Sequence, residues 1–291
     1  MGKIKIVIVD DSPFSIAVLR EMLESSGFEV IGDASSLEET IETVGRLKPD
    51  VVTMDMTIPG TDGLECTRAI HEIDPNIKVI VVSSMMDDEI VSKARKNKVS
   101  GYIQKPADQE ELTLLINRIM ASEELFKELE NYYYSVFKEA FLDTFNKMVK
   151  IVPEIKSEEH SNIEQVSRGV SVVIGIIGKY SGRMIFDLSY DTAEKFTESM
   201  LKRKAKNLEE VLNVMGEFTN IMAGNACSVM NRKNKLFGLR VAPPTIFHGE
   251  SINISKGELD CTASAVTNSN FGEIYLNVGF LRGVGEWMSN M

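Results

Sequence analysis

Cysteine, histidine and basic charge are all scarce in this chain of 291 residues. Its three cysteines, Cys66, Cys227 and Cys261, are odd in number and scattered, and only three histidines accompany them. That excludes a disulfide-built scaffold and leaves no Cys/His spacing for a zinc centre; buried or idle thiols in a reducing compartment are expected. A net charge of −11 argues against general nucleic-acid binding, which needs clustered Lys and Arg. The run Lys202-Arg203-Lys204-Ala205-Lys206 is short enough to be a solvated helix end, or else a docking contact for an acidic surface. No stretch approaches 18 consecutive apolar residues, and the N-terminus leads straight into a strand pattern. No membrane span and no signal peptide are therefore expected, and a cytoplasmic protein is.

What is present is enough apolar residue, 43%, for two cores in a chain long for one domain. Up to about residue 121 the pattern alternates. Apolar runs at Ile4–Val9, Phe28–Gly32, Val51–Asp55, Ile77–Ser83 and Gly101–Gln104 read as strands. Helical spacing over Pro13–Ser25, Leu37–Leu47, Gly63–Ile73, Asp88–Asn97 and from Asp108 onward separates or follows them. Five strand–helix units predict an α/β domain: a parallel sheet with helices on both faces and a site at the carboxyl ends of the strands.

Between Asp108 and Val152 there is no glycine and no proline. Leu112, Leu115, Ile119, Phe126, Leu129, Tyr133, Val136 and Ala140 recur at nearly 3.5-residue spacing. Two readings are open: one helix, about 65 Å long, pairing with a copy of itself, or two helices packed on their own domains with a kink near Ala121 to Glu124. Past Pro153, strands are expected at Val170–Ile177, Arg183–Leu188 and in a series from Ile252 to Leu281, with helices at Thr192–Lys202 and Asn207–Asn231. That pattern predicts an α+β domain with a mostly antiparallel sheet over residues 122–291, after a first domain at 1–121.

In the first domain, Asp10-Asp11 end strand one, Asp55 strand three and Ser83-Ser84 strand four, while Lys105-Pro106 follow strand five. A doubly wound sheet brings these ends to one pocket. Three carboxylates there repel unless a hard cation sits among them, which suits Mg²⁺. Asp55 would be the nucleophile toward a phosphoryl donor, with Ser83 and Lys105 binding the transferred oxygens. With the loop Asp55-Met56-Thr57-Ile58-Pro59-Gly60-Thr61-Asp62-Gly63, these residues make the region resemble the CheY-like receiver of bacterial response regulators, a flavodoxin-like (βα)5 fold. The resemblance implies a histidine kinase as donor to Asp55. It also implies Mg²⁺ held by Asp10, Asp55 and the Thr57 carbonyl with Asp11 nearby, and switch positions at Ser83 and Tyr102. Thr57 and Met85 would overhang the acyl phosphate, and the apolar Met85 predicts slow spontaneous hydrolysis.

The predicted helix Asn207–Asn231 carries Val211, Met215, Phe218, Met222, Ala226 and Val229 as a core stripe and Asn213, Glu217, Asn220 and Gly224 on another face. Gly216 and Gly224 each cost about 1 kcal/mol inside a helix, so something is expected to approach closely. Glu-x-x-Asn occurs five times, starting at Glu128, Glu159, Glu210, Glu217 and Glu250. Only Asn220 is followed, after 22 intervening residues, by proline, Pro243. That spacing, with Gly216-Glu217-Phe218-Thr219-Asn220-Ile221-Met222-Ala223-Gly224-Asn225, resembles the CheC/CheX/FliY phosphatases. A single motif is similar to CheX, and Asn213 departs from the family's common Asp or Ser. The resemblance implies that Asn220 holds a water in line with an aspartyl phosphate while Glu217 pairs with the receiver's lysine. It implies a homodimer as well.

Together these readings predict a response regulator phosphorylated on Asp55 whose second domain hydrolyses aspartyl phosphate. The target would be its own receiver, that of a second subunit, or a separate CheY-like protein. The alternative expectation is a binding module that keeps the fold without hydrolysis.

Overall fold

The computed structural model describes residues 2–85, 87–160, 165–254 and 259–283. Contacts divide the chain into two units, one ending at Glu123 and one spanning Glu124–Gly283.

The first unit runs β1 (Lys5–Val9), α1 (Pro13–Ser25), β2 (Glu29–Ala34), α2 (Leu37–Leu47), β3 (Val51–Met54), β4 (Thr57–Ile58), β5 (Thr61–Asp62), α3 (Gly63–Ile73), β6 (Lys78–Ser83), α4 (Asp88–Lys96), β7 (Gly101–Gln104) and the first part of α5 (Gln109–Val149). Its helices begin where short polar side chains satisfy the orphan backbone donors of the first turn. Ser12 caps α1, with Pro13 next. Ser36 accepts from Glu39 N, Asp62 from Glu65 N and Asp87 from Ile90 N. The five longer strands form a parallel sheet in the order β2-β1-β3-β6-β7. Ile6 and Ile8 face a core shared with α1 and α5, while Val7 and Val9 face one shared with α2 and α3. Burial on both faces is why the strands read as unbroken apolar runs. Chain order reverses between β1 and β3, so the crevice at their carboxyl ends is the natural site.

Helix α5 is continuous, and its apolar stripe is divided. Leu112, Leu115 and Ile119 pack on the first unit's core; Phe126, Leu129, Tyr133, Val136 and Ala140 pack on the second's. Each open reading is half met: the helix does not break, yet its two parts serve different cores. The stripe is thereby spent within the chain, and a homodimer rests on the CheX resemblance alone.

The second unit adds β8 (Glu154–Glu159), β9 (Gln165–Ile177), β10 (Gly182–Ser189), α6 (Tyr190–Leu201), α7 (Leu208–Lys233), β11 (Arg240–Val241), β12 (Thr245–Ile254), β13 (Cys261–Ser269) and β14 (Gly272–Phe280). The sheet is antiparallel, β11-β9-β10-β14-β13-β8, with β12 also on β9. The fold is thus α/β followed by α+β, joined by a long helix. One expectation needs correction, and two elements carried no signal in the sequence. Strand β8 has no apolar alternation and is mostly exposed; pairing with β13 makes it a strand. Strand β12 starts at Thr245 rather than Ile252. The short hairpin β4–β5 had no periodic signal. The parts of the last expected strand series at 255–258, and of the second domain at 284–291, lie outside the described residues. Among the described residues no helix is long and apolar enough to cross a membrane.

Candidate functional sites

Asp10 follows β1 and is almost fully buried; Asp11 beside it is exposed. Asp55 follows β3 and is buried. One ligand oxygen from each of Asp10, Asp11 and Asp55 falls within 4.8 Å of the others. Lys105, after β7, reaches into the cluster with its Nζ 2.8 Å from Asp10 Oδ2 and 3.4 Å from Asp55 Oδ2. Its own backbone N–H donates to the Ser83 carbonyl at 2.8 Å, which ties Lys105 to the end of β6. Asp55 Oδ1 accepts from Met56 N at 2.8 Å, and Asp10 Oδ1 from Ser12 N at 2.9 Å. Burial pushes the Asp55 carboxyl above the usual carboxylate range, with Lys105 opposing the rise and Asp10 adding to it. An all-oxygen carboxylate set with one ammonium fits a hard divalent cation and gives no foothold to a thiolate- or imidazole-seeking one.

Ser83 is fully buried, and its Oγ accepts from Met85 N at 3.3 Å. Tyr102, buried on β7, donates its hydroxyl to the Met85 carbonyl. Thr57 is exposed, with its hydroxyl 4.0 Å from Met85 Sδ. Met85 is 49% exposed, so its side chain only partly covers the crevice.

Sequence reasoning passed over Gly63. A Cβ there would lie 2.4 Å from the Asp55 carbonyl oxygen and 3.0 Å from Met56 Cα, both backbone. The helix start must approach the acceptor loop that closely for β4–β5 to fold back. Gly63→Ala is expected to cost about 1–3 kcal/mol, read as a lowered urea midpoint with unchanged slope.

The second site lies on α7. Asn207 caps the helix, accepting from Glu210 N at 3.0 Å. Arg203, in the basic run, clasps Glu210 through both guanidinium nitrogens at 2.9 and 2.5 Å, holding that carboxyl down at about 2. Val211, Met215, Phe218, Met222 and Ala226 are all buried. Phe218 lies among Phe196, Phe186 and Phe145, with centroids 4.8, 5.4 and 6.1 Å away. An aromatic locked in that way fixes the helix rotation. Asn213 and Glu217 are then exposed, and Asn220 and Gly224 are half-buried along the same side. Among the described residues neither Glu217 nor Asn220 has a hydrogen-bond or ion-pair partner.

The two helical glycines differ. A Cβ on Gly216 would meet Ile246 Cδ1 at 2.8 Å and Pro244 Cγ at 3.8 Å; a Cβ on Gly224 would meet nothing within 4 Å. Gly216 therefore seats the segment just past Pro243 against the residue preceding Glu217. The chain thus brings together Asp10, Asp11, Asp55, Ser83, Tyr102 and Lys105 in one unit, with Thr57 at the rim, and Glu217 with Asn220 in the other.

The response regulator receiver family profile matches residues 6–117. Over 119 residues the chain is 37% identical to the chemotaxis protein CheY of Thermotoga maritima, covering 41% of this chain and 98% of that protein. This chain belongs to the response regulator receiver family. Its receiver is followed by a match to the chemotaxis phosphatase CheX family at residues 170–266. Another relative of the receiver is protein-glutamate methylesterase/protein-glutamine glutaminase 3 of Geobacter sulfurreducens, 41% identical over 36% of this chain and 29% of that protein. Solved structures similar to the CheX part include CheX of Desulfovibrio desulfuricans, 20% identical, covering 51% of this chain and 98% of that one, with TM-score 0.47. Another is a CheX–CheY–BeF3–Mg complex from Borrelia burgdorferi, 22% identical, 51% and 97% covered, with TM-score 0.45.

Proposed function

We propose that this chain is a response regulator that accepts a phosphoryl group on Asp55 from a histidine kinase and hydrolyses aspartyl phosphate on receiver domains. The observation that carries the hydrolytic half is Glu217 and Asn220, unpartnered among the described residues, on one side of α7 within the segment matching a phosphatase family.

For the first half-reaction, Asp55 Oδ forms the new P–O bond while the donor's P–N bond breaks. Lys105 Nζ, now between Asp10 and Asp55, pairs with an incoming phosphoryl oxygen, and the Ser83 hydroxyl turns to donate to another. Asp10, Asp55 and the Thr57 carbonyl would hold Mg²⁺ with Asp11 nearby, and the ion, when bound, offsets the negative charge gathered at the site. In the second half-reaction, the Asn220 amide holds a water in line with the P–O bond to the target aspartate. The water oxygen bonds to phosphorus, the carboxylate leaves, and the water's proton passes to the departing phosphate. Glu217 meets the target receiver's active-site lysine, which fixes the docking. Receiver phosphorylation gates the activity through α5.

The reading is tested with the intact Asp55→Ala chain acting on phosphorylated Thermotoga maritima CheY in H2¹⁸O. Accelerated release with the label in phosphate is expected. Label in the CheY carboxylate, or release no faster than spontaneous, contradicts in-line attack on phosphorus.

A further inference from the structure

Gly224 has no packing explanation among the described residues. It sits in the interior of a 26-residue helix, where glycine is a poor choice, and it is not at a terminus or a left-handed turn. The space where its Cβ would lie is open. Gly216, eight residues earlier, is different: a Cβ there would crowd the end of the Ile246 side chain. Among the described residues nothing fills the space beside Gly224, so it is open to a group from outside the chain.

The position is specific. At 100° per residue, Gly224 falls in azimuth between Glu217 and Asn220, and it lies about 6 Å beyond Asn220 along the axis. The next exposed residue on that line is Ser228, whose hydroxyl bends back to donate to the Gly224 carbonyl at 2.8 Å. Along this line no side chain stands between Asn220 and Ser228, and half-buried Ile221 lies about 60° to one side. A short amide such as Asn220 can reach into a recessed aspartyl phosphate only if the helix backbone itself comes close to the partner. In this chain's own receiver the acceptor Asp55 is buried at the base of a crevice, with Thr57 and Met85 exposed on its rim.

We infer that Gly224 is a clearance position: the rim of the docked, phosphorylated receiver domain rests on the helix backbone there and so sets how deeply Asn220 penetrates. The inference rests on the phosphatase reading and adds the surface that measures the depth of docking. A side chain at residue 224 acts on the partner and not on the fold, so it separates stability from activity with opposite signs.

The test uses intact chains carrying Asp55→Ala as enzyme and phosphorylated Thermotoga maritima CheY as substrate, with a phosphorylated, full-length Asn220→Ala chain as a second substrate. Gly224→Ala is expected to raise the melting temperature by a few degrees, since alanine is the better helix former. It is also expected to cut kcat/KM by about tenfold or more, with Gly224→Leu cutting it further. Gly216→Ala is expected to raise the melting temperature less than Gly224→Ala does, because the end of the Ile246 side chain must give way. A Gly224→Ala or Gly224→Leu chain that hydrolyses both substrates as fast as the parent overturns the clearance role and leaves the phosphatase reading standing. A parent that accelerates neither substrate overturns the phosphatase reading and this inference with it.

Discussion

Asn220→Ala is expected to slow the chain's hydrolysis of aspartyl phosphate by about 10²–10³-fold while leaving the protein folded. The size follows from the task assigned to the residue. The receiver already supplies a lysine and a hydroxyl to the phosphoryl oxygens; what it lacks is a nucleophile in the right place. Placing a water in line removes most of the orientational cost of a bimolecular step, and an amide both donates to and accepts from that water. Stability is not at stake. Asn220 is half-buried with no described partner, and alanine is the stronger helix former. Circular dichroism should match the parent and the melting temperature should be no lower, so the loss would be chemical. Glu217→Ala should act differently. It removes a docking contact, so KM rises more than kcat falls, and added salt mimics the effect in the parent. If Asn220→Ala and Glu217→Ala both leave phosphate release unchanged, the α7 face is only a solvated surface.

Asp55→Asn is expected to abolish phosphoryl uptake from a small-molecule donor, since an amide is no nucleophile and no other described carboxylate sits with Lys105 beneath an open crevice except Asp10, which Lys105 already engages at 2.8 Å. The same substitution should stabilise the protein in metal-free buffer. Burial raises the Asp55 pKa, so its ionised form at neutral pH is a cost to the fold. The contribution of a carboxyl so shifted is present below its unfolded pKa and lost as pH rises through the folded one. The stability gap between Asp55→Asn and the parent should therefore close on acidification through the raised Asp55 pKa. Mg²⁺ at about 100 times its dissociation constant should raise parent stability by about 2.7 kcal/mol and that of Asp55→Asn by less. Thermal melts with and without the ion, at two pH values, read all three effects. Equal melting of the two proteins in metal-free neutral buffer would show that the carboxylate cluster carries no strain.

The receiver was legible because both faces of its sheet are covered. Runs such as Ile6-Val7-Ile8-Val9 need no alternation to be recognised, and the polar residues that end them mark the crevice. The β4–β5 hairpin escaped because two-residue strands carry no period, and Gly63 because its necessity depends on the Asp55 backbone that faces it. Strand β8 escaped for another reason: Glu154–Glu159 is mostly exposed at a sheet edge, and only its pairing with β13 makes it a strand. The α5 stripe was ambiguous because an apolar spacing near 3.5 serves a partner helix or two separate cores equally well. On α7 the sequence showed two glycines beside a polar pair. That one fills a slot under Ile246 and the other faces open space is a tertiary fact, set by a segment some 30 residues later.

The central claim is that the Glu217–Asn220 face of α7 breaks the bond that Asp55-type sites make. Its most direct measurement is the decay rate of phosphorylated Thermotoga maritima CheY alone, with the intact Asp55→Ala chain, and with the chain carrying both Asp55→Ala and Asn220→Ala. The account predicts decay at least about tenfold faster with the first chain and the spontaneous rate with the second. Equal decay in all three mixtures would contradict it.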